Sequence, residues 1–534
     1  MAEEVPSKMA VAEVENNQVD AGTIDAEKDI SKLAAAAADG HGDVALALFA
    51  TIGEIGEEID PEEEKRLVRK IDRLLLPLCA VSYIFFFIDK TTLSYAAVFG
   101  IQTDLNMHGT DYSWLSSLFY FGFLVWALPA NLLLQRLPVA KYLGINIMLW
   151  GILLMAQAAC QNFASLAALR VLGGAVEAVA DPAFMLITSM WYTRREQPVK
   201  IGLWYTAVGL GVACGGLLGY GIGQIRGRLA SWRYEFLIIG ACCTVWGLVI
   251  CLVLPDNPVA KPTPTSRWLF QLTDRERRLA VERLRDNQTG IENKTFKPRQ
   301  MLEAVLDYKT YFFFMIAFCQ AVVNGGTTNF GTLIIKGFGF DTLDTTLMQI
   351  PYGAFIFLVI LLGVFINDRL PPNNRCFVLA AFILPTLVGA FGLHFVPDDR
   401  RIGRLICYLL TGSLNASFVL LLSLQTANIA GHTKKVTTSA LLFLGYCAGN
   451  IAGPFFYKTS QSPTYPLGIW SMIVVLIIEI GVVITLRFLL STENRRRDRA
   501  QGIDQTHHHE RRDLDITAFE DMTDKENLNF RYIY

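Results

Sequence analysis

Apolar stretches of membrane-spanning length recur along this 534-residue chain and are separated by shorter polar segments. A helix needs about 20 predominantly apolar residues to cross the hydrocarbon core of a bilayer. Runs of that kind lie at 74–99, 114–134, 141–161, 163–190, 200–223 and 234–254, and again at 311–335, 346–367, 376–396, 403–429, 437–457 and 467–490. The pattern predicts an all-α membrane protein with twelve transmembrane helices in two six-helix bundles, at 74–254 and 311–490.

The polar segments outside the two bundles carry most of the charge. We expect a disordered tail at 1–61, a basic interfacial helix at 62–73, a central loop at 255–310 and a disordered tail at 491–534. Lysine and arginine crowd just before the first span, in the central loop and just after the last span. Because cytoplasmic segments of membrane proteins are enriched in these residues, we expect both termini and the central loop to be cytoplasmic.

The composition narrows the class of protein. Hydrophobic residues make up 52% of the chain and charged residues 18%, which is too apolar for a soluble enzyme of this length. The net charge of −2 argues against a nucleic-acid partner. The ten cysteines have no metal-binding or disulfide spacing, and the histidines at 507–509 are interpreted as an incidental tract. Without a catalytic constellation or a nucleotide-binding motif, we expect neither an enzyme nor an ATP-driven pump, and no metal or organic cofactor.

The fourth span, 163–190, contains three charged residues: Arg170, Glu177 and Asp181. A charge in the middle of a bilayer costs at least about 2.5 kcal/mol on insertion scales. At about 100° per residue these positions fall within about 40° of one another, so they share one helix face. Such a face is typical of a substrate or proton pathway; we assign Arg170 to the substrate and Glu177 and Asp181 to proton coupling. The alternative is an ion pair between Arg170 and Glu177 that only orients the helices.

The first span holds a second pair of charges, Asp89 and Lys90, after an aromatic cluster at 83–87. Adjacent helical residues point about 100° apart, so one can face a cavity while the other meets a neighbouring helix. Lys90 suits an anionic substrate group, and Asp89 can hold that lysine or carry a proton. The alternative is a self-neutralised pair at the membrane rim. In the fourth span, Pro182 deprives the carbonyl of Ala178 of its helical donor, which predicts a local break.

Three amide side chains in the C-terminal bundle are further candidates for substrate contact: Asn324, Asn329 and Asn415. The first two belong to the sequence NGGTTNF at 324–330, inside the seventh span. A glycine pair loosens a helix, and an interrupted helix at mid-membrane is a known indication of a transporter binding site. We therefore expect an interruption here. Close helix packing is the alternative explanation for the glycines, and hydrogen bonding within the helix is the alternative for Asn415.

Six spans, a long basic loop and six more spans resemble the major facilitator superfamily. Within it, the chain resembles the anion:cation symporter family and, most of all, its fungal allantoate permease branch. The similarity extends over roughly 62–490 and rests on the following segments: IDKTTLSYA at 88–96, YSWL at 112–115, LQRLPVAKYLG at 134–144, MWY at 190–192, SWR at 231–233, LPDNP at 254–258, NGGTTNF at 324–330, AGHTKK at 430–435 and GYCAGNIAGP at 445–454.

The resemblance implies a major facilitator fold and proton-coupled uptake of small organic anions, such as allantoate, nicotinate, pantothenate or biotin, by alternating access. Lys90 stands where relatives have a basic substrate residue in the first span. Arg170 and Gly174 match an Arg-x-x-x-Gly pattern linked to substrate and proton handling. Glu177 matches an acidic residue linked to proton coupling.

The resemblance also implies an inner gate. Arg136 follows the second span, but Gln135 stands where the superfamily usually has an aspartate before this arginine. The equivalent segment after the eighth span keeps the pair, as Asp368 and Arg369. The two halves of the gate are therefore expected to differ.

These observations predict a multi-pass plasma-membrane protein that acts as a monomer. Its partners are a small organic anion, protons as the coupling ion and the lipid bilayer. Proton-coupled symport is the leading hypothesis. An uncoupled facilitator of a polar neutral solute and a nutrient receptor that signals without net flux stay open as alternatives.

Overall fold

The computed structural model describes residues 60–193, 196–258, 272–285, 297–501, 522–527 and 529–534. The tail predicted at 1–61 lies outside this part of the chain except for its last two residues, and so do the histidines at 507–509. Within the described residues, twelve helices are long and apolar enough to span a membrane, as predicted. We label them α1–α12: Pro61–Val98, Asp111–Leu134, Val139–Gln157, Phe163–Trp191, Val199–Gly223, Ser231–Val253, Tyr308–Gly337, Thr342–Arg369, Arg375–Phe395, Arg401–Asn428, Thr433–Phe456 and Pro466–Gln501.

The helices form two bundles with the same internal arrangement. In the first bundle α3 packs on α6, α2 on α4 and α1 on α5, and in the second bundle α9 packs on α12, α8 on α10 and α7 on α11. The bundles meet where α5 contacts α8, α2 contacts α11 and α1 contacts α7. Each bundle therefore repeats the other, and the interface between them is the place where such repeats bind substrate.

Glycines allow the bundles to approach each other closely along α5 and α8. A Cβ atom at Gly209 would lie 2.4 Å from the carbonyl oxygen of Gly353, and one at Gly353 would lie 2.4 Å from that of Gly209. Small residues of this kind permit close contact between helix backbones in membranes. The glycine-dense fifth span is thus explained by packing between the bundles.

An interruption was predicted in two spans, and it is observed in only one of them. Helix α4 is interrupted between Glu177 and Ala180, close to Pro182 as expected. Helix α7 is continuous from Tyr308 to Gly337, so the predicted interruption is wrong. The reason is packing, because a Cβ at Gly325 would come within 3.0 Å of the backbone of Asn450 and one at Gly326 within 2.4 Å of the ring of Tyr457.

The described parts of the segments that flank the bundles are helical or pack against the protein. A separate interfacial helix at 62–73 is not observed, because α1 begins at Pro61 as a single helix and its Lys70 pairs with Glu276 of the central loop at 2.7 Å. The prediction of disorder throughout 491–534 is also wrong. Helix α12 continues to Gln501, and the last residues of the chain pack against the protein, with Asp524 fully buried.

Candidate functional site

The charged residues of α1 and α4 meet inside the N-terminal bundle. Lys90 Nζ lies 3.3 Å from Glu177 Oε1, and the two side chains are only 15% and 3% exposed. Glu177 Oε2 has no hydrogen-bond partner in the described part of the protein. Glu177 is therefore paired with Lys90 and not with Arg170, so the ion pair that was the structural alternative for these residues does not form.

Asp89 and Lys90 face different neighbours, as expected for adjacent helical residues. Asp89 Oδ2 accepts a hydrogen bond from Trp150 Nε1 of α3 at 3.1 Å. Its other oxygen, Oδ1, is buried and has no partner among the described residues. Because Lys90 binds Glu177 while Asp89 binds Trp150, the two residues are not a self-neutralised pair at the membrane rim.

Arg170 is a buried cation without a bound carboxylate. Its side chain is 4% exposed, its Nε donates to the carbonyl oxygen of Leu115 at 3.4 Å, and its guanidinium lies 5.1 Å from the centre of the Phe119 ring. No salt bridge to Arg170 occurs within the residues that the structure describes. A guanidinium offers five N–H donors in a planar fork, so this one retains the capacity to bind an anion.

Two small cavities lie between the bundles, and the smaller one adjoins these charges. One, of about 10 Å³, is lined by Asp89, Lys90, Ser116, Phe119, Tyr120, Arg170, Thr328 and Asn329. The other, of about 30 Å³, is lined mainly by hydroxyl, amide and aromatic side chains, among them Asn324, Gln349 and Asn415. Thr328 lines both. One water needs roughly 10–15 Å³ on this scale, so the bundles must separate further to admit an organic molecule.

The predicted amides line these cavities, although each makes a bond within the protein. Asn324 Nδ2 donates to Asn450 Oδ1 at 3.0 Å, Asn329 Nδ2 to the carbonyl oxygen of Gly325 at 2.8 Å, and Asn415 Nδ2 to that of Gly412 at 3.1 Å. Asn324 and Asn415 border the larger cavity and Asn329 the smaller one. Asn415 thus combines the predicted contact with its structural alternative.

Tyrosines complete the site, and the sequence analysis missed them. Tyr83 Oη donates to Asp181 Oδ1 at 2.8 Å. The rings of Tyr120 in α2 and Tyr446 in α11 lie 6.2 Å apart, one from each bundle. Tyr83 could have been found from its position seven residues before Lys90, which places both on one helix face.

The two bundles are joined on the side away from the chain termini. There Tyr112 Oη donates to the carbonyl oxygen of Asn329 at 2.8 Å and Ser113 Oγ to that of Pro454 at 3.0 Å. We call this the far side, and the opposite one, where α1 begins and α12 ends, the terminal side. These bonds hold α2 against α7 and the end of α11 on the far side.

The predicted gate residues lie on the terminal side and are not brought together. Arg136, Asp368 and Arg369 are all exposed. The guanidinium of Arg369 lies 4.7 Å from the centre of the Phe365 ring, and no salt bridge to Asp368 occurs in the described part of the chain.

A comparison with family models decides the class of this protein. The model of the Major Facilitator Superfamily matches residues 79–454. The chain belongs to the Major Facilitator Superfamily. It is therefore a multi-pass integral membrane transporter and not an enzyme, as the sequence analysis expected.

Fungal transporters are similar over most of this Major Facilitator Superfamily chain. An uncharacterized transporter of Schizosaccharomyces pombe is 38% identical over 88% of this chain and 88% of its own length. The allantoate permease of Saccharomyces cerevisiae is 34% identical, with 92% and 90% covered. The thiamine pathway transporter THI73 of the same yeast is 31% identical, with 89% and 87% covered. The resemblance to allantoate permease is thereby confirmed.

Solved structures share the fold at low sequence identity. A bacterial homologue of the human lysosomal transporter Spinster has a TM-score of 0.56 at 16% identity, with 81% of this chain and 97% of that chain covered. A D-xylose–proton symporter has a TM-score of 0.56 at 12% identity, with 76% and 96% covered. At these identities the likeness bears on the fold alone.

Proposed function

We propose that this transporter is a plasma-membrane symporter that moves a small organic anion together with a proton by alternating access. The observation that carries the proposal is the buried guanidinium of Arg170, which has no salt bridge to a carboxylate among the described residues and shares a small cavity with Lys90. Two cations at one cavity suit a carboxylate, because Arg170 can bind both of its oxygens through the guanidinium fork.

The charges of the site support proton coupling. Asp89 and Glu177 balance Lys90 and Arg170 when all four are ionised, and Asp181 supplies one more carboxyl group nearby. A bound monocarboxylate would add an uncompensated negative charge in a poorly solvated site, which is costly. A proton on Glu177 offsets the added charge and frees Lys90 for the substrate. The anion and the proton are therefore expected to bind together.

Asp181 provides a second carboxyl group on the same face of α4. It accepts a hydrogen bond from Tyr83 and is not in a salt bridge in the described structure. We assign it to proton transfer between Glu177 and the terminal side, because it lies one helical turn beyond Glu177 in that direction. In this proposal Asp89 holds Arg170 and Lys90 in place through its charge.

The amide side chains of the C-terminal bundle line the side of the substrate site opposite to the cations. Asn324 and Asn415 belong to the C-terminal bundle, whereas Lys90 and Arg170 belong to the N-terminal one. A substrate that contacts both bundles would draw them together, which is the step that alternating access requires. We propose that Arg136, Asp368 and Arg369 close the terminal side when the far side opens. The name of the allantoate permease relative supports a small organic anion as the cargo.

The first experiment is a thermal-shift screen of the purified transporter against allantoate, other ureides, vitamins and small carboxylates, since a ligand of the folded state raises its apparent stability. The best ligand is then tested in proteoliposomes. Accumulation that requires an inside-alkaline pH gradient supports the proposal. Uptake indifferent to that gradient would indicate a facilitator, and binding without flux would indicate a receptor.

A further inference from the structure

The last residues of the chain lie in a groove at the terminal side of the C-terminal bundle. Asn494 of α12 brackets the backbone of Tyr532, donating to its carbonyl oxygen at 2.8 Å and accepting from its N–H at 2.9 Å. Asn428 of α10 brackets Ile533 in the same way, at 2.7 and 2.8 Å. Two asparagine side chains thus satisfy the backbone N–H and carbonyl groups of two consecutive residues, the groups that a neighbouring β-strand would bind.

A buried charge cluster holds the beginning of this segment. Asp524 is fully buried, and its Oδ1 lies 2.7 Å from Lys434 Nζ of α11. Its Oδ2 contacts Lys309 Nζ of α7 and accepts from Tyr532 Oη at 2.8 Å. Although burial alone would raise the pKa of Asp524, Lys309 and Lys434 hold it below its usual range. The carboxylate is therefore a strong acceptor for both lysines.

Arg497 of α12 connects the two ends of the segment. Its Nη2 donates to Tyr532 Oη at 3.0 Å and to the carbonyl oxygen of Asp524 at 3.0 Å, and its Nη1 donates to that of Phe530 at 2.8 Å. The Tyr532 ring also lies 4.1 Å from Lys309 Nζ, a cation–π distance. The groove thus recognises a backbone, a carboxylate and a phenol at once.

We propose that this groove is a peptide-binding site whose ligand is a peptide with an aspartate and a tyrosine eight residues apart, supplied by the chain's own C-terminal segment, of which 522–527 and 529–534 are described. The groove is lined by amides, by cations and by the carboxylates of Glu303 and Asp307, which contact Thr523 and Lys525. Water can solvate these polar groups when the peptide leaves. Occupancy ties together α7, α10, α11 and α12, which have no other shared partner of this kind in the described structure. The bound tail is therefore an exchangeable ligand that braces the bundle.

Amide hydrogen exchange of the full-length protein, followed by mass spectrometry of its C-terminal peptide, tests the proposal. The N–H groups of Tyr532 and Ile533 should be protected. Asp524→Asn should accelerate their exchange about tenfold or more, because hydrogen bonds to charged groups contribute about 1.5–3 kcal/mol. Asp399→Asn is the matched control, since it makes the same change at an exposed position on the far side and should leave the protection unchanged.

A competition experiment with an added peptide uses the unmodified protein, so its result does not depend on whether the variants fold. An isotope-labelled peptide of residues 522–534 is added at a concentration on the order of ten millimolar, above the millimolar effective concentration of a tethered segment. It should accelerate exchange of the attached tail, whereas the same peptide with asparagine for Asp524 should not. A tail that exchanges as fast as free peptide, full protection in Asp524→Asn, or no response to the competitor would each overturn the proposal.

Discussion

Replacing Glu177 by glutamine is the sharpest test of the proposed coupling. Glutamine has nearly the same shape as the protonated carboxyl but cannot release a proton. At 3.3 Å between Lys90 Nζ and Glu177 Oε1, the Coulomb attraction is about 5 kcal/mol with an effective dielectric constant of about 20. An incoming carboxylate competes with this attraction for Lys90, and Glu177→Gln removes the competitor.

Only a part of that energy is expected to appear as affinity. The freed ammonium of Lys90 regains some hydration at its 15% exposed side chain, and Asp89 still attracts it. We expect a net gain of about 1–2 kcal/mol, which is about a five- to thirtyfold tighter complex at mildly alkaline pH. Binding to the variant should also be independent of pH, whereas binding to the unmodified protein should weaken as the pH rises.

Transport should respond in the opposite direction to binding. With one proton per monoanion, an inside-alkaline gradient of about one pH unit sustains roughly tenfold accumulation. The variant should show no accumulation beyond equilibration, yet keep counterflow exchange, because exchange needs substrate binding and rocking but no proton release. The assay is uptake of the best ligand from the thermal-shift screen into proteoliposomes, with and without the gradient.

Glu479→Gln is the matched control for this experiment. Glu479 is another fully buried carboxyl of the transporter, but it lies in α12 and accepts from Gln320 at 2.7 Å, away from the two cavities. Its replacement should leave accumulation intact. Normal accumulation by Glu177→Gln, or an equal loss in the control, would refute the assignment of coupling to Glu177.

Three further substitutions test other parts of the site. Arg170→Lys keeps the positive charge but loses the bidentate guanidinium fork, so the initial rate of uptake should fall about tenfold or more. An unchanged rate would exclude direct anion binding by this residue. Trp150→Phe removes the N–H group that donates to Asp89, so the free energy of unfolding should fall by about 1–3 kcal/mol. The measurement is the melting temperature of the ligand-free protein, which should be lower. In Gly216→Val, a Cβ would lie 2.5 Å from the carbonyl oxygen of Thr346, so the two bundles should no longer close on the far side. The variant should still bind ligand in a thermal-shift assay but should lose net uptake. Retained net uptake would contradict this reasoning.

The membrane class and the number of spans could be predicted from the amino-acid sequence alone. Backbone groups inside a bilayer must be satisfied within the segment, so length and apolarity are enough to define each helix. The sequence also predicted that Arg170, Glu177 and Asp181 share one face, because helical geometry is local. The interruption of α4 near Pro182 follows from the same local chemistry.

The contacts between side chains of different helices depend on how the helices pack and could not be predicted from the sequence. Helical periodicity gives the direction of a side chain but not the identity of the helix that it faces, so the Lys90–Glu177 pair and the Tyr83–Asp181 bond could not be predicted. The glycine pair at 325–326 was ambiguous for the same reason. Its meaning depends on Asn450 and Tyr457, which lie more than a hundred residues later in the chain.

The docking of the C-terminal segment is the clearest example of a feature that could not be predicted from the sequence. Its polar and charged composition resembles that of disordered tails, because such a stretch cannot bury enough apolar surface on its own. Lys309, Lys434 and Asn428, which bind it, belong to helices that are remote in sequence. A charge becomes an anchor only when folding brings an opposite charge to it, and that pairing is a property of the assembled bundle, not of the segment.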